Sequence, residues 1–231
     1  MENSSRTARV AAVTALDDPS RLALYDLVSR SATAVSRDEA AAALGLSRST
    51  AAFHLDRLAD EGLLAVEYKR LSGKTGPGSG RPAKLYTRSP GELSISVPQR
   101  DYELAGDLLA GAIEESNASG KPVREVLRSV AGKAGREIGA ASASFEAALE
   151  ETGFEPQHDD SGDIVFGNCP FHQLARRHTE IVCDFNYELV RGIAEGADQN
   201  ETECCHSVGR DAGAGRCCVR ATPAVAPEST D

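Results

Sequence analysis

Apolar positions recur with the period of short amphipathic helices over the first sixty residues. Asp18 can cap the first helix, and Ser36 with Glu39 forms the capping box that opens the second. Ser47 can cap a third helix, which continues to about residue 60. Gly45 lies in the short turn between the second and third helices. A helix, a glycine turn and a further helix in this order predict a helix-turn-helix.

Two strand patterns follow the third helix, from Leu63 to Arg70 and from Pro82 to Arg88, and a glycine-rich tip joins them. They predict a β-hairpin wing whose cations can meet DNA phosphates. We expect the outward face of the third helix and the wing to contact duplex DNA. The candidate contact residues are Ser47, Arg48, Ser49, Thr50, Phe53, His54, Arg57, Lys74, Arg81 and Lys84.

Two of these residues have a second interpretation. Phe53 could be a core residue at the junction of helix and wing, and His54 could pack or cap rather than read a base. The opposite, inward face of the same helix carries Ala51, Leu55 and Leu58, which we expect in the core.

Helical stripes continue in the middle of the chain. One predicted helix covers residues 98–119, with Tyr102, Leu109 and Ile113 on one face, and another opens at Pro122 with a second apolar stripe. Two such stripes beside a DNA-binding module often build a dimer, and a twofold dimer matches a palindromic operator. We therefore predict a homodimer that forms through this region.

Shorter patterns follow from about residue 145. They predict a short helix at 145–152, a hairpin over 154–167, helices that end near His178 and begin near Cys183, and a last hairpin over 201–221. The fold class is therefore α+β. The predicted organisation is a winged helix-turn-helix domain at 1–92, a helical dimerisation region at 93–143, a cysteine-rich sensor domain at 144–222 and a disordered tail at 223–231.

Charge is divided unevenly along the chain. The net charge is −10, but residues 1–90 carry a net +3 and residues 91–231 a net −13. The basic excess coincides with the helix-turn-helix, which favours nucleic-acid contact there. The chain has no run of about 18 apolar residues, and its first residues lack the apolar stretch of a signal peptide. We therefore expect a cytoplasmic protein without a membrane partner.

The third helix and the wing carry a family resemblance. The sequence Ser49-Thr50-Ala51-Ala52-Phe53-His54-Leu55, followed by Glu61-Gly62-Leu63, resembles the recognition helix of ArsR-type winged-helix regulators. The sequence Gly80-Arg81-Pro82-Ala83-Lys84-Leu85-Tyr86 resembles their wing. The resemblance covers about residues 15–90 and implies a transcriptional regulator that binds an operator in double-stranded DNA.

All six cysteines lie in the last third of the chain, at Cys169, Cys183, Cys204, Cys205, Cys217 and Cys218. In the cytoplasm, clustered cysteines are more often metal ligands or redox groups than structural disulfides. No CxxC motif is present, which excludes a zinc ribbon or knuckle. Ligands spread over helix starts and strands suit a four-iron cluster better than a single ion.

The cysteine segment also resembles the SufR-type repressors, which sense iron–sulfur clusters. The matching pieces are Asn168-Cys169-Pro170, Val182-Cys183, Glu203-Cys204 and Arg216-Cys217. The resemblance implies that Cys169, Cys183, Cys204 and Cys217 hold an iron–sulfur cluster of the [4Fe–4S] type, which controls operator binding by a repressor. The doubled cysteines leave Cys205 and Cys218 as alternatives at the third and fourth places.

Two other interpretations of the cysteines remain open. Cys169, His172, Cys183 and one of Cys217 or Cys218 could form a tetrahedral zinc site. The thiols could also act as a metal-free redox switch.

The chain contains none of three common catalytic or nucleotide-binding motifs: a glycine-rich phosphate loop, Gly-x-Ser-x-Gly or His-Glu-x-x-His. We therefore expect that it is not an enzyme.

Overall fold

The computed structural model describes residues 6–70, 82–198, 206–210 and 217–223. These residues divide between Ile95 and Ser96 into two compact units, each with its own apolar core. Several predicted features lie outside the described residues, namely the wing cations Lys74 and Arg81, the cysteines Cys204 and Cys205, and the tail from residue 224 onward.

The first unit combines short helices with an antiparallel sheet of order β1–β3–β2. Its elements are α1 (Arg6–Ala15), α2 (Pro19–Arg30), β1 (Val35–Ser36), α3 (Arg37–Leu44), α4 (Arg48–Asp60), β2 (Leu64–Lys69) and β3 (Ala83–Arg88). Tyr86 of β3 lies opposite Val35 of β1 and Val66 of β2. The order confirms the predicted helix-turn-helix, made by α3 and α4, and the two predicted wing strands.

Side-chain caps start the helices where the sequence predicts them. The Asp18 carboxylate accepts two backbone N–H bonds from the first turn of α2, at 2.9 and 3.0 Å. Ser36 Oγ accepts the N–H of Glu39 at 3.2 Å, while the Glu39 carboxylate accepts the N–H of Ser36 at 2.8 Å. Ser47 caps α4 in the same way. Gly45 ends α3 with a φ of 65°, a left-handed conformation that favours glycine.

The inward face of α4 forms the centre of the first core. Ala51, Leu55 and Leu58 are each 0% exposed, as the sequence predicts. Their neighbours in this core include Leu24, Val28 and Tyr86. Because α4 is anchored by this face, its other face is held in a fixed orientation toward solvent.

The second unit combines helices with an antiparallel sheet of order β4–β5–β7–β6. Its elements are α5 (Tyr102–Ser119), α6 (Val123–Ala141), α7 (Phe145–Glu151), β4 (Pro156–His158), β5 (Ile164–Phe166), α8 (His172–Arg177), α9 (Thr179–Ala197), β6 (His206–Arg210) and β7 (Val219–Pro223). Together the two units confirm the predicted α+β class.

One apolar cluster runs through the second unit, from Ala105 in α5 to Ala221 in β7. The sequence separates a helical region from a sensor region, whereas in the structure α6 packs along α9 and both belong to this cluster. Val126 and Leu127 of α6 are 2% and 1% exposed. Most of the apolar stripe of α6, predicted to help form a dimer, therefore packs within the unit, while Val123 at its start is 41% exposed.

Two elements near the cysteines begin elsewhere than predicted. α9 begins at Thr179, one turn before Cys183, and no side chain caps its first turn, so the sequence carries no start signal. β7 begins at Val219, so Cys217 and Cys218 precede the strand. Neighbouring side chains within a strand point to opposite faces of the sheet. Because Cys217 and Cys218 lie before the strand, this rule does not apply to them.

Candidate functional site

Three hydroxyl groups meet at the start of α4. Ser47 Oγ lies 2.9 Å from Ser49 Oγ and 2.7 Å from Thr50 Oγ1, and it accepts the backbone N–H of Thr50 at 3.1 Å. Ser47 and Ser49 are exposed and Thr50 is half-buried. The first turn of a recognition helix reaches base edges and phosphates, and these hydroxyls can serve as donors or acceptors there.

The structure separates the two interpretations of Phe53 and His54. The Phe53 side chain is 65% exposed, so it is not a core residue. The half-buried His54 ring stands edge-on to it, with ring centroids 5.3 Å apart. His54 Nδ1 is buried and has no hydrogen-bond partner among the described residues. The outward face of α4 therefore presents an exposed aromatic ring that His54 supports from one side.

The predicted DNA-contacting cations in the described residues each have an acidic partner. Arg48 lies 2.5 Å from Asp38, and Arg57 lies 2.7 Å from Glu61. Lys84 lies 2.5 Å from Asp56. Arg48 and Arg57 keep 63% and 55% of their side chains exposed. Both can therefore still reach a phosphate, although each must share its charge with a carboxylate.

Asp56 joins α4 to the wing strand β3, a contact that sequence reasoning missed. Its Oδ1 accepts hydrogen bonds from Tyr86 Oη at 2.6 Å and from Lys84 Nζ at 2.5 Å. Burial alone would raise the pKa of Asp56, but the hydrogen bonds from Lys84 and Tyr86 outweigh it and lower that pKa. Burial and the hydrogen bond to Asp56 raise the pKa of Tyr86. Recognition helix and wing strand are thus held as one body.

The second unit gathers four thiols at one place. Cys169 precedes α8, Cys183 lies in the second turn of α9, and Cys217 and Cys218 precede β7. Each of these thiols shifts the pKa of at least one other, in a series from Cys169 through Cys217 and Cys218 to Cys183, so the four side chains lie close together. We call these four side chains the thiol quartet. Three of the four predicted metal ligands belong to it, and the fourth, Cys204, lies outside the described residues.

The quartet divides into proton donors and acceptors. A hydrogen bond from Cys217 lowers the pKa of Cys169, and hydrogen bonds from Cys217 and Cys183 lower the pKa of Cys218 to about 6. Hydrogen bonding to Cys169 and Cys218 raises the pKa of Cys217, while burial and the bond to Cys218 raise the pKa of Cys183 to about 12. Two sulfurs are thus stabilised as thiolates by their neighbours.

A buried amide in α9 is directed at two of the sulfurs. Asn186 is 1% exposed, and its Nδ2 donates to Cys217 Sγ at 3.3 Å and to Cys218 Sγ at 3.8 Å. Its Oδ1 is buried without a partner in the part of the chain that the structure describes. An N–H group directed at sulfur stabilises the thiolate, and such contacts tune iron–sulfur sites.

The donor type of the quartet matches an iron–sulfur cluster. Among the described residues, no three His, Cys, Asp or Glu side chains are arranged to hold one metal ion. His172, a member of the alternative zinc set, is exposed on α8. Four thiolates are the usual ligands of a [4Fe–4S] cluster, so the residues present fit that group.

Two members of the quartet can be reached from solvent. Cys183 and Cys218 line an open pocket of about 450 Å³. Asp184, also in its lining, is held by Arg128 at 2.7 Å and by Arg210 at 2.8 Å, and the hydrogen bond from Arg128 lowers its pKa. Small solutes can therefore reach these two sulfurs without unfolding of the second unit.

The first unit is a winged helix-turn-helix, the class of domain defined by a recognition helix that follows a short turn and leads into a two-stranded wing. Residues 16–67 match the family model described as a helix-turn-helix domain. The fold and this match support a DNA-binding transcriptional regulator. No curated protein and no solved structure matches the chain. In the described residues, no helix has both the length and the apolar content required to cross a bilayer.

Proposed function

We propose that the chain is a cytoplasmic, homodimeric transcriptional repressor whose operator binding is controlled by an iron–sulfur cluster of the [4Fe–4S] type. The ligands are Cys169, Cys183 and Cys217 together with either Cys204 or Cys218. The observation that carries this proposal is the thiol quartet, which the fold assembles from three separate parts of the sequence. A winged helix in the same chain supplies the function that such a site would control.

The surroundings of the quartet support thiolate ligands. Asn186 directs an N–H group at Cys217 and Cys218, and the Cys217 and Cys183 thiols lower the pKa of Cys218. Four thiolates would repel one another in a buried place, and a bound cluster supplies the cationic irons that hold them together. With the irons absent, the hydrogen bonds from Asn186 and the contacts among the thiols are what hold the four side chains together.

The positions of the thiols support coupling to the rest of the second unit. Cys169 belongs to the segment before α8, Cys183 belongs to α9, and Cys217 and Cys218 lead directly into β7. β7 in turn pairs with β5 and β6. Ligation therefore ties a loop, a helix and the centre of a sheet, and loss of the ligated group frees all three. By resemblance to SufR-type repressors, the cluster-loaded dimer binds the operator.

The outward face of α5 supports a second copy of this chain as the partner. Tyr102 and Ile113 are 44% and 52% exposed, and Gly106, on the same face, is exposed as well. The inward residues Ala105, Leu108 and Ala112 are buried in the core of the unit. An apolar outer stripe on a helix that is already anchored by its inner face is typical of a helical dimer interface.

Anaerobic purification followed by metal and sulfide analysis tests this proposal. We expect a brown protein with about four irons and four sulfides per chain. Its affinity for a duplex that the wild type selects from a random library should be higher with the cluster than without it. Zinc in place of iron would overturn the cluster assignment, and equal affinity in the two forms would overturn the control of DNA binding.

Single substitutions assign the ligands. Cys169→Ser, Cys183→Ser and Cys217→Ser should each lose iron and the dependence of DNA affinity on iron together. Cys204→Ser and Cys218→Ser distinguish the two candidates for the fourth position, because only the true ligand should lose iron. Cys205→Ser should keep its iron, and loss of iron in that variant would make Cys205 the ligand in place of Cys204. Full iron content in Cys169→Ser, Cys183→Ser or Cys217→Ser would remove that residue from the ligand set.

A further inference from the structure

The segment that follows the DNA-binding unit is hydrogen-bonded to the loop that carries Cys169. The first unit ends at Ile95, and six residues later the backbone N–H of Asp101 donates to the carbonyl of Pro170 at 3.2 Å. Between these points, Arg100 donates from Nη1 to the carbonyl of Cys169 itself at 3.3 Å. The contact therefore involves the backbone of a predicted ligand residue.

Asn168 makes this contact specific. It is 6% exposed, and its Nδ2 donates to the carbonyls of Gln99 at 2.8 Å and Gly153 at 2.7 Å. Its Oδ1 accepts a hydrogen bond from Arg100 Nη1. The amide thus uses both of its donor hydrogens and its acceptor, and a fully satisfied buried amide fixes its neighbours in one arrangement.

The segment 96–101 is also fixed internally. Arg100 donates its backbone N–H to Ser96 Oγ at 2.6 Å and its Nη1 to the carbonyl of Gln99 at 3.0 Å. The guanidinium of Arg100 therefore bridges the segment and the Asn168–Cys169 loop from within the segment. Hydrogen bonds depend on distance and angle, so these bonds break when the loop shifts relative to the segment. An apolar contact would tolerate such a shift.

We propose that Arg100 is a positioning residue that ties the Cys169 loop to segment 96–101, so that the state of the thiol quartet sets the path of the chain leaving the DNA-binding unit. This inference rests on the proposed function, because it needs Cys169 to be a ligand whose loop changes with loading. Arg100 is not among the proposed ligands. It acts through the carbonyl of Cys169 and the amide of Asn168.

Linkage gives the contact a measurable consequence. If loading raises DNA affinity by some factor, that factor is a coupling between two sites, and it requires a physical connection that differs between the two states. Segment 96–101 is the covalent continuation of the first unit, and Arg100 holds it to the loop of a ligand residue. Without the guanidinium, the loop can still hold a ligand, but only the bonds from Asp101 to Pro170 and from Asn168 to Gln99 still tie the segment to it, so the segment follows the loop less closely.

The test compares Arg100→Ala and Arg100→Lys with Arg177→Ala, which removes an exposed arginine from the end of α8. Three quantities are measured in each full-length protein, namely iron content, the ratio of DNA affinities with and without iron, and amide hydrogen exchange of the iron-free form. The DNA is the duplex that the wild type selects. Arg100→Ala should keep its iron while the affinity ratio falls at least about fivefold toward one.

Hydrogen exchange reports on the contact without any loaded protein. Exchange over residues 99–101 should be faster in Arg100→Ala, intermediate in Arg100→Lys and unchanged in Arg177→Ala. An unchanged affinity ratio in Arg100→Ala, in a variant that keeps its iron and its melting temperature, would overturn this inference and leave the proposed function standing. A wild type that holds no iron, or whose DNA affinity is the same with and without iron, would overturn both this inference and the proposed function.

Discussion

Gly192 of α9 and Gly132 of α6 face each other, but the two positions are not equivalent. A methyl group on Gly192 would lie 2.2 Å from the carbonyl oxygen of Gly132. A methyl group on Gly132 would lie 3.7 Å from its nearest neighbours, which is ordinary van der Waals contact. Gly135 repeats the tight geometry, since its methyl group would lie 2.1 Å from the carbonyl of Leu189. Backbone thus meets backbone where α6 and α9 touch.

This asymmetry predicts opposite effects for the same substitution. Gly192→Ala forces backbone apart in a packed core and should cost roughly 1–3 kcal/mol or more of unfolding free energy. Gly132→Ala meets no obstacle and should stabilise the helix by about 0.5–1 kcal/mol, because alanine has less backbone freedom to lose. Denaturant unfolding of the two variants measures the difference. Equal destabilisation of both would show that α6 and α9 are not this close.

Asp56 predicts an acid-sensitive link between recognition helix and wing. Its pKa lies below the ordinary 3.8, because the hydrogen bonds from Lys84 and Tyr86 outweigh burial. A carboxylate with a lowered pKa contributes stability above its unfolded value, and that contribution is lost as pH falls through the lowered folded value. The melting temperature of the wild type should therefore fall more between about pH 5 and pH 2 than the melting temperature of Asp56→Asn.

Substitutions at Asp56 and at Tyr86 should change this pH dependence to different degrees. Asp56→Asn should start less stable than the wild type near neutral pH, since it has no charge to pair with Lys84. Tyr86→Phe keeps the carboxylate and the Lys84 bond but removes the 2.6 Å hydrogen bond, so its pH dependence should be intermediate. Melting curves recorded at each pH test this order. A profile for Asp56→Asn parallel to that of the wild type would remove Asp56 as the cause.

Local signals allowed the sequence to predict the first unit closely. Asp18, the Ser36–Glu39 box and Ser47 mark helix starts through contacts within three residues, and the inward face of α4 follows from helical period alone. The bond between Asp56 and Tyr86 joins residues thirty positions apart. No local pattern marks such a contact, because it exists only after β3 has packed beside α4.

The second unit was harder to predict for related reasons. An apolar stripe shows that a helix buries one face, but it does not name the partner, and the buried residues of α6 pack against α9. The sequence identified cysteines as the candidate chemistry from their number and compartment. It named Cys217 as a ligand and Cys218 as the alternative, whereas both join the thiol quartet because β7 begins only at Val219.

Arg57 is predicted to read sequence rather than only to add charge. It lies on the outward face of α4, 55% exposed and paired with Glu61. Arg57→Ala should lower affinity for the selected duplex more than for a scrambled one, by about 1–3 kcal/mol of discrimination if the contact is bidentate. Arg30→Ala removes the same charge from the end of α2 and is the control. Equal losses on both duplexes at fixed salt would restrict Arg57 to a phosphate contact.

Ile113 is predicted to lie in the interface between two copies. Its side chain is 52% exposed on the outward face of α5. Ile113→Glu would bury a charge in an apolar contact and should give a monomer, whereas Ala118→Glu adds the same charge to another face of α5. Light scattering coupled to size exclusion measures the mass of each. A wild-type monomer, or a dimer that survives Ile113→Glu, would place the interface elsewhere.

Asn186 is predicted to tune the proposed cluster without serving as a ligand. Its Nδ2 donates to Cys217 Sγ at 3.3 Å and to Cys218 Sγ at 3.8 Å from a fully buried position. An N–H dipole directed at sulfur favours the more negative, reduced form, so removing it in Asn186→Leu should lower the reduction potential while iron content is kept. Gln173→Leu, an exposed polar position on α8, is the control. Spectroelectrochemical titration of the loaded proteins measures the shift.

A reduction potential of Asn186→Leu equal to that of the wild type would mean that the amide does not act on the ligated sulfurs. Complete loss of iron in Asn186→Leu, with an unchanged melting temperature of the iron-free form, would instead place Asn186 among the groups required to hold the cluster.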